Sequence, residues 1–141
     1  MLLNRKARFD YTILSSMEAG IVLLGGEVKV LRNGMGDIMH SHVMLHDNEA
    51  WLMNMQIPVY KQSSINYDVR RNRKLLLKKK QVRSLIGKMK LKGVSVVPLK
   101  LYFVRGLVKV EIGTAEGKKK ADKRQTIKER DLQREMQRTK I

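Results

Sequence analysis

The amino-acid sequence predicts a mainly β protein with flanking helices: a small, curled antiparallel sheet or barrel, followed by a basic tail. Three observations lead there. Short stretches in which β-favouring residues alternate with polar ones recur through residues 1–116, with turn residues between them. Sustained helical spacing is confined to one segment near the middle of the chain. Beyond residue 116 the apolar pattern stops. Many short strands with little helix bury their apolar faces most simply in a sheet that curls on itself.

Taken in order, Phe9, Tyr11 and Ile13 alternate with other residues from Arg8 to Leu14 and predict a first strand. Ser15-Ser16-Met17-Glu18 supplies cap-forming residues and predicts one or two helical turns ahead of Gly20. Ile21 to Leu31, broken at Gly25-Gly26, is expected as a strand bent at a bulge. Val43 and Leu45, then Trp51, Met53 and Met55, alternate with their neighbours on either side of Asp47-Asn48, which predicts a hairpin. Residues 61–74 are polar and irregular. Leu75-Leu76-Leu77 is expected to enter a helix with Val82, Leu85, Ile86 and Met89 on its inner face, ending near Gly93. Val94 to Val104 and Leu107 to Ile112 predict a last hairpin around Arg105-Gly106, interrupted or at an edge at Pro98.

Length and charge narrow the function. The 141 residues suffice for one domain with a real core, and 43% hydrophobic residues support one. A net charge of +17 repels itself in a compact state, which points to a polyanionic partner. Nucleic acid leads, because neutralising phosphates supplies affinity in proportion to the cations available; an anionic membrane surface is the competitor. The chain has no cysteine, which excludes disulfides and thiolate metal sites. The apolar run from Ala19 to Gly26 is too short to span a bilayer and lies behind Asp10 and Glu18, without a signal-peptide layout. No membrane partner and a cytoplasmic location are expected.

Residues 117–141 hold ten Lys or Arg, four Asp or Glu and no aromatic residue. Ile127, Leu132, Met136 and Ile141 do not make a continuous stripe. Pairs such as Asp131 with Arg134 support a helix by only about 0.2–0.5 kcal/mol each. The segment is expected to stay disordered until a partner orders it as helix.

From Arg70 to Lys92 there are eleven basic residues and no acidic one. A helix with Val82, Leu85 and Ile86 inward presents Lys79, Lys80, Arg83 and Lys90 outward, as a ridge suited to phosphates; solvated helix faces usually mix signs. Arg71, Arg73 and Lys74 precede that ridge, and Arg5, Lys6 and Arg8 form a second cluster. Aromatic residues are few, and Trp51 and Phe103 are expected in the core, so binding should read backbone and shape rather than stack bases. His40, His42 and His46 share one parity but lack a fourth ligand, and no metal or other cofactor is expected. Asp10, Glu18, Glu27 and Asp68 are too dispersed for a Mg²⁺-binding nuclease cluster. No catalytic constellation stands out, and the chain reads as a binding protein.

The motifs "NRKAR" (4–8), "EAGI" (18–21), "GGEVKVLR" (25–32), "RKLLL" (73–77), "VVPLKLYF" (96–103), "KVEIG" (109–113) and "GKKKADKR" (117–124) occur in this order. Together they resemble the SmpB family, which binds transfer-messenger RNA in bacterial ribosome rescue. The resemblance implies an oligonucleotide-binding-type barrel, no catalytic activity, and a division into an RNA-binding domain (1–116) and a tail (117–141). It implies that the barrel holds the tRNA-like domain of transfer-messenger RNA, and that the tail enters the decoding centre and messenger channel of a stalled ribosome. An elongation factor carrying GTP and alanyl-transfer-messenger RNA is the implied delivery partner. By position, Glu18, Leu76 and Lys109 match family positions linked to RNA binding. Lys29 lies in the EVK-x-LR block. Gly117, Lys118, Lys119, Asp122, Lys123 and Arg124 match the ribosome-engaging segment, which Lys128 and Arg130 continue. The family usually has His at Phe9. At Leu76 two readings stand, a core residue or a direct RNA contact. The competing functions are a structural ribosomal protein and a metal-dependent RNA-processing enzyme acting through Glu27 or Asp68.

Overall fold

The computed structural model describes residues 1–59, 67–117 and Arg130. One antiparallel sheet of seven strands carries the fold, with β1 (Leu2–Leu3), β2 (Tyr11–Ile21), β3 (His42–His46), β4 (Glu49–Met53), β5 (Arg73–Leu76), β6 (Val94–Val104) and β7 (Leu107–Gly117). Their order across the sheet is β1-β6-β7-β2-β5-β4-β3. The sheet curls until β3 comes alongside β6, leaving a partly open barrel. Three helices flank it: α1 (Arg5–Asp10), α2 (Gly25–Arg32) and α3 (Lys79–Met89).

Both expected hairpins form, and their turn residues explain why. Asp47 and Asn48 sit at φ 50° and 60°, and Arg105 and Gly106 at φ 51° and 80°. Two successive left-handed residues match the twist of the flanking strands. At Pro98 the expected interruption is a register shift between Pro98 and Lys100 opposite β7.

The N-terminal half departs from expectation in three places. Arg8 to Asp10 belong to α1 rather than to a strand, because Asn4 caps that helix: its Oδ1 accepts from the Ala7 N–H at 3.0 Å. The buried Asn4 also donates to the carbonyls of Ile38 (3.2 Å) and Pro98 (2.7 Å), tying α1 to the sheet. Ser15 to Glu18 lie in β2, held there by pairing with Thr114 to Glu111, and the Ser15 and Thr114 hydroxyls meet at 2.6 Å. Residues 25–31 are helix, not bent strand. Glu27 accepts from the Leu24 N–H at 2.8 Å, which starts α2, and Glu27, Val30 and Leu31 fall on one buried face at helical spacing.

The central segment shifts by a few residues. Leu75 and Leu76 close strand β5, because they pair with Ile21 and Gly20 of β2; the helix starts only at Lys79. Val82 and Leu85 then face inward as expected. The main core lies inside the curl and takes Val30 and Leu31 from α2, Leu85 from α3, and Leu52, Val110 and Ile112 from the strands. A smaller cluster, Ala7, Val97, Leu99 and Ala115, seats α1 on the outer face of the sheet.

Among the described residues no helix is long and apolar enough to cross a membrane. The tail positions Lys118, Lys119, Asp122, Lys123, Arg124 and Lys128 lie outside the described residues. Gly117 closes β7 opposite Tyr11.

Candidate nucleic-acid interface

Strand alternation sets which side chains reach solvent on the outer face. On β2 these are Ser16 and Glu18, with Gly20 on the same face but buried under Leu76; on β7, Lys109 and Glu111; on β6, Lys100 and Tyr102; on β5, Lys74 and Leu76. Register brings them together. Glu18 lies opposite Glu111, and Lys109 lies between Gly20 on one side and Tyr102 on the other. Leu76 pairs with Gly20 from the far side. Glu18, Leu76 and Lys109, which stand far apart in the chain, therefore meet in one patch.

Two carboxylates facing each other across a strand pair repel, and the patch is wired to relieve this. The Lys100 Nζ lies 3.4 Å from Glu111. The Tyr102 hydroxyl reaches across β7 and donates to Glu18 at 2.5 Å. Lys100 also stands 5.3 Å from the centre of the Tyr102 ring. Burial, then the hydrogen bond to Glu18 and the charges of Glu18 and Glu111, push the Tyr102 phenol up to about 12. Glu18 thus holds the Tyr102 ring in place through its hydroxyl. The motif VVPLKLYF spans Tyr102, but nothing in the sequence marks it as the partner of Glu18, which follows only from the register of β6, β7 and β2.

Leu76 is 53% exposed, so it is not the core residue of the first reading. A Cβ on Gly20 would come within 3.2 Å of the Leu76 Cβ. Glycine in the EAG motif therefore lets Leu76 lie flat across β2. Lys109 makes no ion pair among the described residues, so its ammonium is available to an outside anion.

The basic residues separate into two kinds. Lys79, Lys80, Arg83 and Lys90 are exposed along α3, as the helical spacing requires. Only Leu77 and Lys78 separate Leu76 from Lys79, three backbone steps with a reach of at most about 11 Å, so the ridge starts beside the patch. Arg5, Lys6 and Arg8 are exposed on α1, which covers the other end of the same sheet face, and Lys6 approaches the His40 Nδ1 at 3.4 Å. Lys29 is exposed on α2.

Arg73 is a correction. Its side chain is fully buried, and all five donors are used within the protein. It bonds Glu27 (Nε to Oε2, 2.7 Å) and the carbonyls of Met55 (2.7 Å), Arg71 (3.1 Å) and Val69 (3.1 Å). No phosphate can reach it. Arg71 stands half-exposed beside it and pairs with the same carboxylate, with its Nε 3.2 Å from Oε2. Burial alone would raise the Glu27 pKa; bonds from Arg71, the Leu24 N–H and Arg73 outweigh it and hold the carboxyl below its ordinary value. Burial lowers the Arg73 pKa, against the opposing pull of Glu27. Glu27 is thus neutralised inside the fold, which removes it from the enzyme reading.

Trp51 is a second correction. It is half-buried on the outer face of β4, opposite Met44 and Lys74, rather than in the core. Phe103 does pack against the core. His42 and His46 occupy the two ends of β3, roughly 13 Å apart, too far to share one metal. Among the described residues no group of three His, Cys, Asp or Glu could hold a metal ion. A hollow of about 560 Å³ lies elsewhere, at the seam between β3 and β6, with Lys6 and His40 in its lining. In the tail, the Arg130 guanidinium stands 5.3 Å from the centre of the Phe9 ring on α1.

A family model described as "SmpB protein" matches residues 1–140. The chain belongs to the SmpB family. It is 48% identical over 137 residues to the SsrA-binding protein of Trichodesmium erythraeum (strain IMS101), covering 96% of this chain and 88% of that protein. It is 50% identical over 137 residues to the SsrA-binding protein of Sulfurihydrogenibium sp. (strain YO3AOP1), covering 96% and 90%. A chain of the solved structure "tmRNA-SmpB: a journey to the center of the bacterial ribosome" is 50% identical with a TM-score of 0.72, over 84% of this chain and 85% of that one. Every strand that builds the outer patch lies within the family match.

Proposed function

We propose that this chain is the RNA-binding adaptor of trans-translation, a binding protein rather than an enzyme. Its partners are transfer-messenger RNA and the ribosome, in keeping with the SsrA-binding relatives and the tmRNA-SmpB structure it resembles. The observation that carries the reading is the outer patch, where the unpaired Lys109, the exposed Leu76 and the Glu18–Tyr102 pair meet on one sheet face beside the ridge of α3. An exposed leucine with no core role and a cation with no internal partner suit a surface meant to be covered by a polyanion. Residues 1–116 act as the RNA-binding unit and residues 117–141 as the ribosome-engaging segment. Transfer-messenger RNA charged with alanine and bound to a GTP-carrying elongation factor is the form in which the RNA arrives, and the cytoplasm is the place. The test is to isolate the protein from cells and sequence the RNA that accompanies it. Transfer-messenger RNA should dominate; stoichiometric ribosomal RNA surviving a high-salt wash would assign the chain to the structural ribosomal proteins instead.

A further inference from the structure

The outer face continues past the patch, and there it changes character. Lys74, on the same strand as Leu76, lies opposite Trp51 of β4, and Trp51 lies opposite Met44 of β3. With Met53, His46 and Asn72 these residues line a groove of about 310 Å³. Met44 is 46% exposed, and Trp51 and Met53 are half-buried. A tryptophan ring flanked by two thioethers offers flat, polarizable walls, while His46 and Asn72 place hydrogen-bonding groups at the rim. Lys74 stands at the border with the patch, 3.2 Å from Glu49, and both partners of that pair are open to solvent.

From this geometry we infer that the groove receives one unpaired base of the bound RNA, stacked on Trp51, while Lys74 takes an adjacent phosphate. The inference rests on the RNA-binding reading of the neighbouring patch and extends it. The occupant is a nucleotide of the tRNA-like domain because the groove is continuous with the patch through the Lys74 and Leu76 positions of a single strand, β5. A chain of phosphates that crosses Lys109 and Leu76 comes beside Lys74, two residues from Leu76 on β5 and at the edge of this groove. A base is the flat apolar group that such a chain carries, and stacking on an aromatic ring accepts any base. A volume near 310 Å³ is at the lower end for a ligand cleft and suits one nucleoside rather than a helix or a strand of protein. The sequence alone predicts binding without stacking, since it places Trp51 in the core; the outward register of β4 reverses that.

The chain has a single tryptophan, so Trp51 emission reports the groove directly. The full-length protein is titrated with a tRNA-like hairpin carrying one extruded adenosine, and separately with the same hairpin fully paired. Anisotropy of labelled RNA follows binding in parallel. The extruded base should quench Trp51, and the paired hairpin should bind without quenching. Trp51→Leu should weaken the extruded-base complex roughly tenfold and leave the paired complex unchanged, while Trp51→Phe keeps most of the affinity. Thermal melts check that both variants fold; if Trp51→Leu fails to fold, the quenching contrast in the wild type decides alone. Binding of both RNAs without any emission change overturns the groove inference and leaves the RNA-binding reading standing. Binding of neither RNA overturns both. Quenching by ribosomes without transfer-messenger RNA, and not by the hairpin, would give the groove to a ribosomal component and also overturn the inference.

Discussion

Leu76 shows how much one side chain's environment decides. A leucine inside the curl would cost about 2–5 kcal/mol on truncation to alanine. Leu76 is 53% exposed and lies across Gly20, so Leu76→Ala should move the melting temperature little, within the range of ordinary surface changes of about 0.5 kcal/mol. RNA affinity should nonetheless fall, and melts with binding curves on that one variant check both halves. Tyr102 gives a second test. Its phenol is held protonated up to about 12, against an ordinary value of 10.0, by burial and by donating to Glu18. A folded value above the unfolded one means that the stabilisation is fully present below pH 10 and is lost as pH rises through 12. In an ultraviolet absorbance titration one tyrosine should ionise late, and Tyr102→Phe should remove that late step. Neither residue's environment is readable from the sequence. Alternation shows that neighbours on a strand face opposite ways, but the pairing partner decides which way is in, and Tyr102 and Trp51 acquire their outward direction from β7 and β5.

At the scale of elements, the parts legible in the sequence are those fixed by neighbours in the chain. Asp47-Asn48 and Arg105-Gly106 carry their own turn chemistry, and the apolar spacing of α3 is local too. The rest depends on distant partners. Glu27 looks like one acidic residue among dispersed ones until Arg71 and Arg73, 44 and 46 positions away, close on it. That ion cluster joins the start of α2 to β5, so Glu27→Ala should cost about 3–5 kcal/mol by leaving the buried Arg73 charge uncompensated. Denaturant melts measure it. Because the folded Glu27 value is lowered, its contribution is present above the unfolded value near 4.5 and is lost as pH falls through the lower folded value. The difference between wild type and Glu27→Gln should therefore shrink in that acid window. For α3 the expectation concerns charge alone. Converting Lys79, Lys80 and Arg83 to Glu leaves Val82 and Leu85 buried, so the melt should change little. The salt slope of RNA binding should flatten by about 0.7–0.9 for each phosphate that is no longer neutralised. An unchanged slope would take the ridge out of the interface.

For the whole molecule, the positive charge divides between the sheet with its helices and the residues beyond Gly117. Residues 1–117 hold 20 Lys or Arg against nine Asp or Glu, and several of these are matched internally: Arg71 and Arg73 serve Glu27, Lys74 meets Glu49, and Lys100 meets Glu111. Residues 118–141 add ten Lys or Arg against four Asp or Glu, and the sheet is complete without them, since β7 ends at Gly117 opposite Tyr11. Truncation after Gly117 therefore keeps every strand pair, both core clusters, and the patch of Glu18, Leu76, Tyr102 and Lys109. It removes the stacking of Arg130 on Phe9, an exposed cation–π pair that contributes at most about 1 kcal/mol. The truncated protein should melt within a few degrees of the full chain and bind transfer-messenger RNA with most of its affinity. On the proposal that residues 117–141 are the ribosome-engaging segment, tagging of the nascent chain on a stalled ribosome should be lost, because the ten cations removed are those that a phosphate-lined channel would match. A tagging assay beside the binding curve separates these functions. Full tagging by the truncated protein would mean that the barrel alone engages the ribosome, while loss of RNA binding as well would place residues 118–141 within the RNA interface itself.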